Sequence, residues 1–354
     1  MVASIFATQQ PSMRPPSGGP TLNTLTLSGP IAVGAPSSGT IIGRTATSTI
    51  SSGLTGLTVN SAAATYIWDG TGPFGSNATA LTETLAGATN NPKNSPLFVS
   101  RTEANTYIAA LPSSPDSSRR VLIQQLFQNL LVGTVNGTNV FSKLDYLHRY
   151  ACEDGGNALI DMVQVIPYTA SPINNPVFTV DRQFATDGVS SYVDTGYNPL
   201  TAARWTVGSA CFGIWCRDNV ARDPSAAGFL NGSLVGTLIA PWQVTNNTIA
   251  IRANEATGGA TAPGSVSTSV GHTAVNRADA TSSGLQIWRN GALIPSTSAA
   301  ATAIANGNLR CGSVDNTRFQ QRSFAFSHGG PSLTPNEMAD LYAAFAAYMT
   351  AIGA

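Results

Sequence analysis

The sequence predicts a mainly β protein: a small β-sandwich, a short α-hairpin, then a longer run of strands closed by a C-terminal helix. Three observations predict it. Short runs of Val, Ile, Leu, Thr and aromatic residues recur between Gly, Pro and Asn along most of the chain. Asn290-Gly291 stands between two alternating runs within Leu285 to Ile294, the strongest short-range hairpin signal a sequence carries. Only 10% of the 354 residues are charged, against about 25% in an ordinary soluble domain. Ser, Thr, Asn, Gly and Ala replace them, a mixture suited to hydroxyl-faced sheets and tight turns.

The elements follow in order. Residues 1–20 end in Pro-Ser-Met-Arg-Pro-Pro-Ser-Gly-Gly-Pro, which forms neither helix nor central strand and reads as an extended arm. Residues 21–101 hold short strands around Leu22–Leu27, Thr40–Gly43, Leu57–Val59, Tyr66–Trp68, Leu81–Leu85 and Leu97–Val99, the pattern of a small β-sandwich. Residues 102–170 turn helical. Asp116 or Ser117 caps a helix through Arg119–Leu131 with Leu122, Leu126 and Leu130 on one face. A second helix is expected over Val140, Phe141, Leu144, Leu147 and Ala151, and a helical turn near Leu159–Val163.

Residues 171–354 return to strands: Val177–Arg182, Ser191–Asp194, Ser209–Cys216, Thr237–Ala240, Thr248–Arg252, Thr268–His272 and the Asn290-Gly291 hairpin. The last helix is marked at both ends. Thr334 is its cap, Pro335 its first residue, Glu337 completes a capping box, and Gly353 stops it. Met338, Leu341, Tyr342, Phe345, Met349 and Ile352 form its apolar side.

Charge and cysteine narrow the function. Lys plus Arg equals Asp plus Glu at 18 each, so the basic surplus that displaces counterions from nucleic acid is missing. No stretch approaches the roughly 20 apolar residues of a membrane span, and the N-terminus lacks a signal-peptide pattern, which predicts a protein made inside a cell and not exported by the usual route. Cys152, Cys211, Cys216 and Cys311 have no metal-ligand spacing; Cys211 and Cys216 fall on opposite faces of one strand and are expected as free, buried thiols. Low charge also fits a surface covered by neighbours in an assembly.

Two resemblances add to this. "TLSGPIAVGAPSSGTIIG" and "ALTETLAGATNNPKNSPLFV" make residues 21–101 resemble Ig-like or cadherin-like modules, without cadherin-type acidic calcium motifs. Trp288-Arg-Asn-Gly291, Leu309–Ser313, Phe324-Ala-Phe326 and Leu333-Thr-Pro-Asn-Glu337 resemble the closing segment of concanavalin A-like jelly rolls of laminin G or pentraxin type. Lys143-Leu-Asp-Tyr-Leu147, Phe178-Thr-Val-Asp-Arg182 and Asp187-Gly-Val-Ser-Ser-Tyr-Val-Asp-Thr-Gly196 are similar to lectin-like domains in structural proteins of phages and gene-transfer agents. The fold these imply is an Ig-like β-sandwich, a short α-hairpin and a concanavalin A-like jelly roll with a C-terminal helix. The role they imply is a virion component, assembled in the bacterial cytoplasm: a fibre, spike or surface decoration whose jelly roll contacts host-surface glycan, or a decoration or cement protein without a ligand. Either role implies a homo-oligomer, a trimer among the candidate states, with other virion proteins as partners.

No enzyme chemistry is expected. Endo-glucanases of this jelly-roll type need a Glu-x-Asp-x-Glu strand, and Glu83, Glu103, Glu153, Glu255 and Glu337 form no such pattern. His148, His272 and His328 accompany no Gly-x-Ser-x-Gly elbow; His148 is expected on a helix as a surface or packing residue, and His272 as a structural histidine at a strand end. Thr257-Gly-Gly-Ala-Thr261 precedes no helix, so no phosphate cradle is read there. Cofactors are not expected. Relatives of the resembled fold bind calcium through loop carboxylates, which makes Asp187, Asp194 and Asp315 conceivable ligands, but turn and cap roles are the better default and no metal site is assigned. For glycan, the loops Pro241–Asn247 and Asp315–Arg318 bring together aromatic, amide and charged side chains, and Trp242, Asn246, Asn247, Asp315, Asn316 and Arg318 are the candidate site residues. The alternative is that Trp242 packs under its loop while the asparagines make turns.

Overall fold

A computed structural model describes residues 40–42, 58–60, 65–67 and 102–354, apart from 165–167, 223–225, 245–246, 257–259, 262–265 and 296–298. Its contacts divide the chain into two units, residues 1–105 with 115–128 and residues 106–114 with 129–354.

In the first unit, β1 (Thr40–Ile42), β2 (Thr58–Asn60) and β3 (Thr65–Ile67) form a sheet, β1 parallel and β3 antiparallel to β2. They overlap three expected strands, each shifted or shortened by one residue. The extended arm, the other strands of the expected sandwich and both segments that carry its Ig-like resemblance, apart from Thr40–Ile42, lie outside the described residues. Helices α1 (Thr102–Ala110) and α2 (Ser117–Val132) follow. The second was expected and the first was not. A helical pair is therefore present, one step earlier in the chain than the sequence placed it.

The expected helix over Val140–Ala151 is absent. A 3₁₀ turn at Phe141–Lys143 leads into strand β4 (Tyr146–Arg149), which pairs with Phe326–Gly329. The physical reason is that both faces of β4 are buried, so its apolar residues do not report one helical face. Tyr146, His148 and Tyr150 point to one side and interact as rings, while Arg149 points to the other. Near Leu159 the chain makes a 3₁₀ turn at Asn157–Leu159 and a single bridge from Asp161 to His148.

The remaining strands are β5 (Ser171–Ile173), β6 (Val177–Thr179), β7 (Gln183–Ala185), β8 (Tyr192–Asp194), β9 (Ala210–Cys216), β10 (Ala227–Leu230), β11 (Gly236–Ala240), β12 (Ala250–Glu255), β13 (Ala260–Thr261), β14 (Gly271–Arg277), β15 (Leu285–Arg289), β16 (Ala292–Ile294), β17 (Arg310–Cys311) and β18 (Ser323–Gly330). They form two antiparallel sheets, in the orders β13-β12-β11-β10-β17-β8-β5 and β16-β15-β14-β9-β18-β7-β6. Neighbours far apart in sequence, such as β9 beside β18 and β10 beside β17, give the crossing connections of a jelly roll. The expected strand at Thr268–His272 begins at Gly271 and runs to Arg277. At the hairpin Asn290 and Gly291 both have positive φ, 48° and 76°, as a two-residue turn matched to strand twist requires.

The two sheets enclose one core, and alternation decides which residues enter it. From β9 it takes Ala210, Phe212, Ile214 and Cys216; from the facing sheet it takes Val193, Ala227, Ile239, Ile251 and Cys311. Cys211 lies outside that cluster and Cys216 inside it, as expected of opposite faces, and all four cysteines are buried and outside any disulfide. The other face of β9 meets helix α3 (Pro335–Ala351), where Trp215 stacks on Tyr342 at 5.8 Å and Phe326 on Phe345 at 4.3 Å. The Thr334–Glu337 capping box and Pro335 are in place as the sequence specified. On the seven-stranded sheet, residues alternating with the core set, Asp194, Arg310, Leu238 and Arg252, face away from it. No described helix is long and apolar enough to cross a membrane.

Candidate binding cavity on the seven-stranded sheet

Two loops rise from this outer face. The first joins β10 to β11. Asn231 builds it, its side-chain oxygen accepting from Ser233 N at 2.9 Å and Val235 N at 3.0 Å. Leu234 takes a left-handed φ of 60° and is 40% exposed, an arrangement unfavourable for a bulky apolar residue both in backbone and in solvation.

The second loop precedes β18. Asp315 builds it as Asn231 builds the first. Its Oδ1 accepts from Thr317 N, Thr317 Oγ1 and Arg318 N, each at 2.8 Å, and its Oδ2 pairs with Arg318 Nε at 2.9 Å. Burial raises the carboxyl's pKa, but these bonds outweigh it and hold the group below its usual value. Leu230 N donates to Val314 O at 2.7 Å, which ties the two loops together. Leu230, Leu238 and Val314 form a small apolar cluster beneath them.

Between the loops lies a cavity of about 460 Å³ lined by Phe229, Leu230, Asn231, Gly232 and Leu234 on one side and Asp315, Asn316, Thr317 and Arg318 on the other. Its volume is in the range of small-molecule sites. Beside it, Arg310 of β17 donates to Asn316 Oδ1 at 3.0 Å and lies over the rings of Tyr192 at 4.6 Å and Phe229 at 5.6 Å.

The structure thus brings together Asp315, Asn316 and Arg318 and places Trp242 and Asn247 elsewhere. The Trp242 loop leaves the far end of β11, the strand whose other end leaves the cavity loop. Trp242 is half-buried, and its indole N–H donates to Asn247 Oδ1 at 3.1 Å. Its carbonyl accepts from Arg222 N at 3.0 Å and Arg322 Nη2 at 3.3 Å. The first bond joins Trp242 to Asn247, and the other two tie Trp242 to the segments of Arg222 and Arg322. Asn246 lies outside the described residues. Phe229, Asn231, Tyr192 and Arg310 were missed by the sequence reading. Asn231-Gly232 carried a turn signal, but nothing in sequence shows that the Tyr192 and Arg310 strands are neighbours.

The conceivable calcium ligands do not converge. Asp187 accepts from Val189, Ser190 and Ser191 N at 2.8 to 2.9 Å, and the backbone bonds, that of Ser190 foremost, hold its carboxyl far below its usual pKa. Asp194 Oδ1 accepts from Gly196 N at 2.8 Å and Asn308 Nδ2 at 2.9 Å. Among the described residues no group of three His, Cys, Asp or Glu is placed to hold a metal.

All three histidines are buried. His148 is a strand residue, contrary to the expected helix, and its Nε2 lies 2.7 Å from Tyr168 O. His272 and His328 meet Nε2 to Nε2 at 2.9 Å beneath α3, against the ring of Phe345. Burial lowers the pKa of each, to about 4 for His148 and about 3 for His328.

No family model and no curated protein matches this chain. Among solved structures it is similar to Trypanosoma rangeli sialidase in complex with sialic acid (11% identity, 63% of this chain, 38% of that chain, TM-score 0.42). It is also similar to domain 4 of AbnA, an extracellular arabinanase from Geobacillus stearothermophilus, in complex with arabinotriose (14%, 56% and 98%, TM-score 0.38). A third is the botulinum neurotoxin serotype D binding domain (10%, 58% and 53%, TM-score 0.39). The matched region spans about two fifths of the sialidase.

Proposed function

We propose that the larger unit is a lectin-like carbohydrate-binding module. The observation that carries this reading is the cavity of about 460 Å³ between the Asn231 and Asp315 loops, whose lining includes an aromatic residue, Phe229, two amides, Asn231 and Asn316, and a guanidinium, Arg318. Sugars are held by that combination: an apolar face against C–H groups, and fixed donors and acceptors for hydroxyls. The loops are braced by their own Asn231 and Asp315 bonds, which lowers the entropy cost of binding.

We further propose that the chain is a structural component of a tailed-phage particle, a fibre, spike or surface decoration attached through its N-terminal part. Support for this comes from the resemblance of residues 143–147, 178–182 and 187–196 to lectin-like domains of such proteins. The low charge of the chain supports a place in an assembly.

A glycan array and whole-cell binding assay on the full chain test the first proposal. Asn316→Ala and Trp242→Ala are compared with the wild type. Loss of one good polar contact predicts about tenfold weaker binding for Asn316→Ala, and no change for Trp242→Ala. Binding lost only in Trp242→Ala would place the site in the other loop. No binding by folded wild type would leave the jelly roll as a packing block of a decoration or cement protein. Antibody labelling of particles from the producing cells tests the second proposal: label on the particle surface is expected, and its absence from purified particles would overturn it.

A further inference from the structure

We infer that the cavity takes a saccharide through an acetamido group, its carbonyl accepting from the Asn231 and Asn316 amides and its methyl covering Leu234. This rests on the carbohydrate-binding reading above and goes further by naming the ligand class.

The first argument is what the lining has left to offer. Asn231 spends its side-chain oxygen on Ser233 N and Val235 N, and Asn316 spends its own on Arg310 Nη1. Neither Nδ2 has an acceptor among the described residues; Asn316 is exposed and Asn231 half-buried. With each oxygen engaged, the two amides bring a ligand mainly N–H donors. Asp315 Oδ1 already accepts three bonds, and its Oδ2 pairs with Arg318 Nε at 2.9 Å. The one carboxylate and the one guanidinium of the lining therefore cancel. An anion gains no net charge from such a lining and meets Asp315 inside it. A neutral carbonyl oxygen, which accepts two bonds and donates none, fits better than either an anion or a hydroxyl. Thr317 Oγ1 donates to Asp315 and keeps its lone pairs, enough for one N–H from the ligand.

The second argument is Leu234. Its N donates to Asn231 O at 2.8 Å and its carbonyl accepts from Arg252 Nη1 at 2.6 Å, which holds the residue at a left-handed φ of 60°. Asn or Gly takes that conformation with less strain, and a polar residue better suits a side chain 40% exposed. The turn alone gives no reason for a leucine. Strain of this kind gathers where a ligand is held, and an apolar group laid on Leu234 recovers the exposed surface. Leu234 lines the cavity from the same loop as Asn231, with Phe229 beside them. One wall thus supplies both an N–H donor and an apolar contact. A carbonyl, an N–H and a methyl on one small plane make an acetamido group, and plain hydroxyls lack the methyl.

The test titrates the full chain with paired oligosaccharides of equal length and linkage, N-acetylglucosamine against glucose and N-acetylgalactosamine against galactose. In each pair a hydroxyl stands where the acetamido group was. Expected is at least about tenfold tighter binding of the acetamido member in one pair or both. Leu234→Asn suits the left-handed φ and removes the apolar contact. It should keep the wild-type urea midpoint while the preference falls to about threefold. A folded Leu234→Asn variant that keeps the full preference would overturn the placement of the acetamido group. If that variant fails to fold, Asn316→Ala decides in its place, since its preference should fall in the same way. Equal binding of both members of each pair by the wild type would overturn the acetamido assignment and leave the carbohydrate-binding reading intact. Tighter binding of O-acetylated or uronate-containing oligosaccharides than of the acetamido forms would also overturn it. Binding of none of them, with none on the glycan array, would overturn both.

Discussion

Gly213 shows how one residue without a side chain fixes its neighbours. It lies in β9 between β14 and β18, and two imidazole rings meet over it. A Cβ there would sit 2.8 Å from His272 Nε2 and closer still to His328 Nε2. The contact between the rings is itself constrained. One Nε2 must carry a proton and the other must not, so the pair holds together only while at least one ring is neutral. Both Nδ1 atoms are buried with no partner among the described residues. Gly213→Ala should therefore separate the rings as well as overpack the layer beneath α3, with a loss of about 2–4 kcal/mol. Urea unfolding of the full chain measures it. An alanine variant as stable as the wild type would show that the rings move aside at no cost.

Helix α3 shows what a sequence reveals of an element and what it hides. Its limits, cap and apolar side were legible because they depend on residues three and four apart: Thr334 with Glu337, and Met338, Leu341, Phe345 and Met349 along one face. Its docking was not legible, because the partners are some two hundred residues away. Tyr348 Oη accepts from Arg149 Nη1 at 2.6 Å, and Asp340 accepts from the backbone N–H groups of Thr134, Val135, Asn136 and Thr138 at 2.6 to 3.1 Å and from Thr138 Oγ1 at 2.7 Å. Strand β4 was misread for the same reason. Val140, Leu144, Leu147 and Ala151 fit a helical period, yet burial on both faces overrides a one-face pattern, and the alternation of Tyr146, His148 and Tyr150 was the better signal. The candidate site was half legible. The Asp315 turn could be found in sequence, whereas the Arg310–Tyr192–Phe229 stack depends on sheet order. The Asp340 clasp gives a second stability prediction. Asp340→Ala removes the acceptor of four backbone N–H groups at once, three of them on exposed residues that water can reach, and should cost about 1–3 kcal/mol, while Asp340→Asn, which keeps one acceptor oxygen, should recover part of it. Equal losses in both variants would mean that the side chain's volume matters and its bonds do not.

The whole larger unit carries its histidines as neutral, buried groups, and this sets its response to acid. Burial lowers their folded pKa values, to about 4 for His148, about 3 for His328 and well below normal for His272, against about 6.5 in an unfolded chain. A group depressed in this way contributes stability that is present above its unfolded value and is lost as pH falls toward its folded one. Between about pH 6.5 and 4 the unfolded chain takes up three protons that the folded chain refuses. Asp161 works in the opposite direction. Burial raises its carboxyl to about 7, despite bonds from Leu147, Val163 and Gln164 N, so over the same window the folded chain binds a proton that the unfolded chain releases. The net difference of two protons predicts a stability loss of about 2–3 kcal/mol per pH unit in that window. Trp205, Trp215 and Trp288 are buried in this unit, so indole fluorescence follows its unfolding in urea at pH 7, 6 and 5. His148→Gln keeps an N–H donor for Tyr168 O and cannot titrate, and it should flatten the slope by about 1.4 kcal/mol per pH unit. A stability independent of pH between 6.5 and 5 would mean that the imidazoles reach solvent before the sheets part, and that the layer under α3 opens locally.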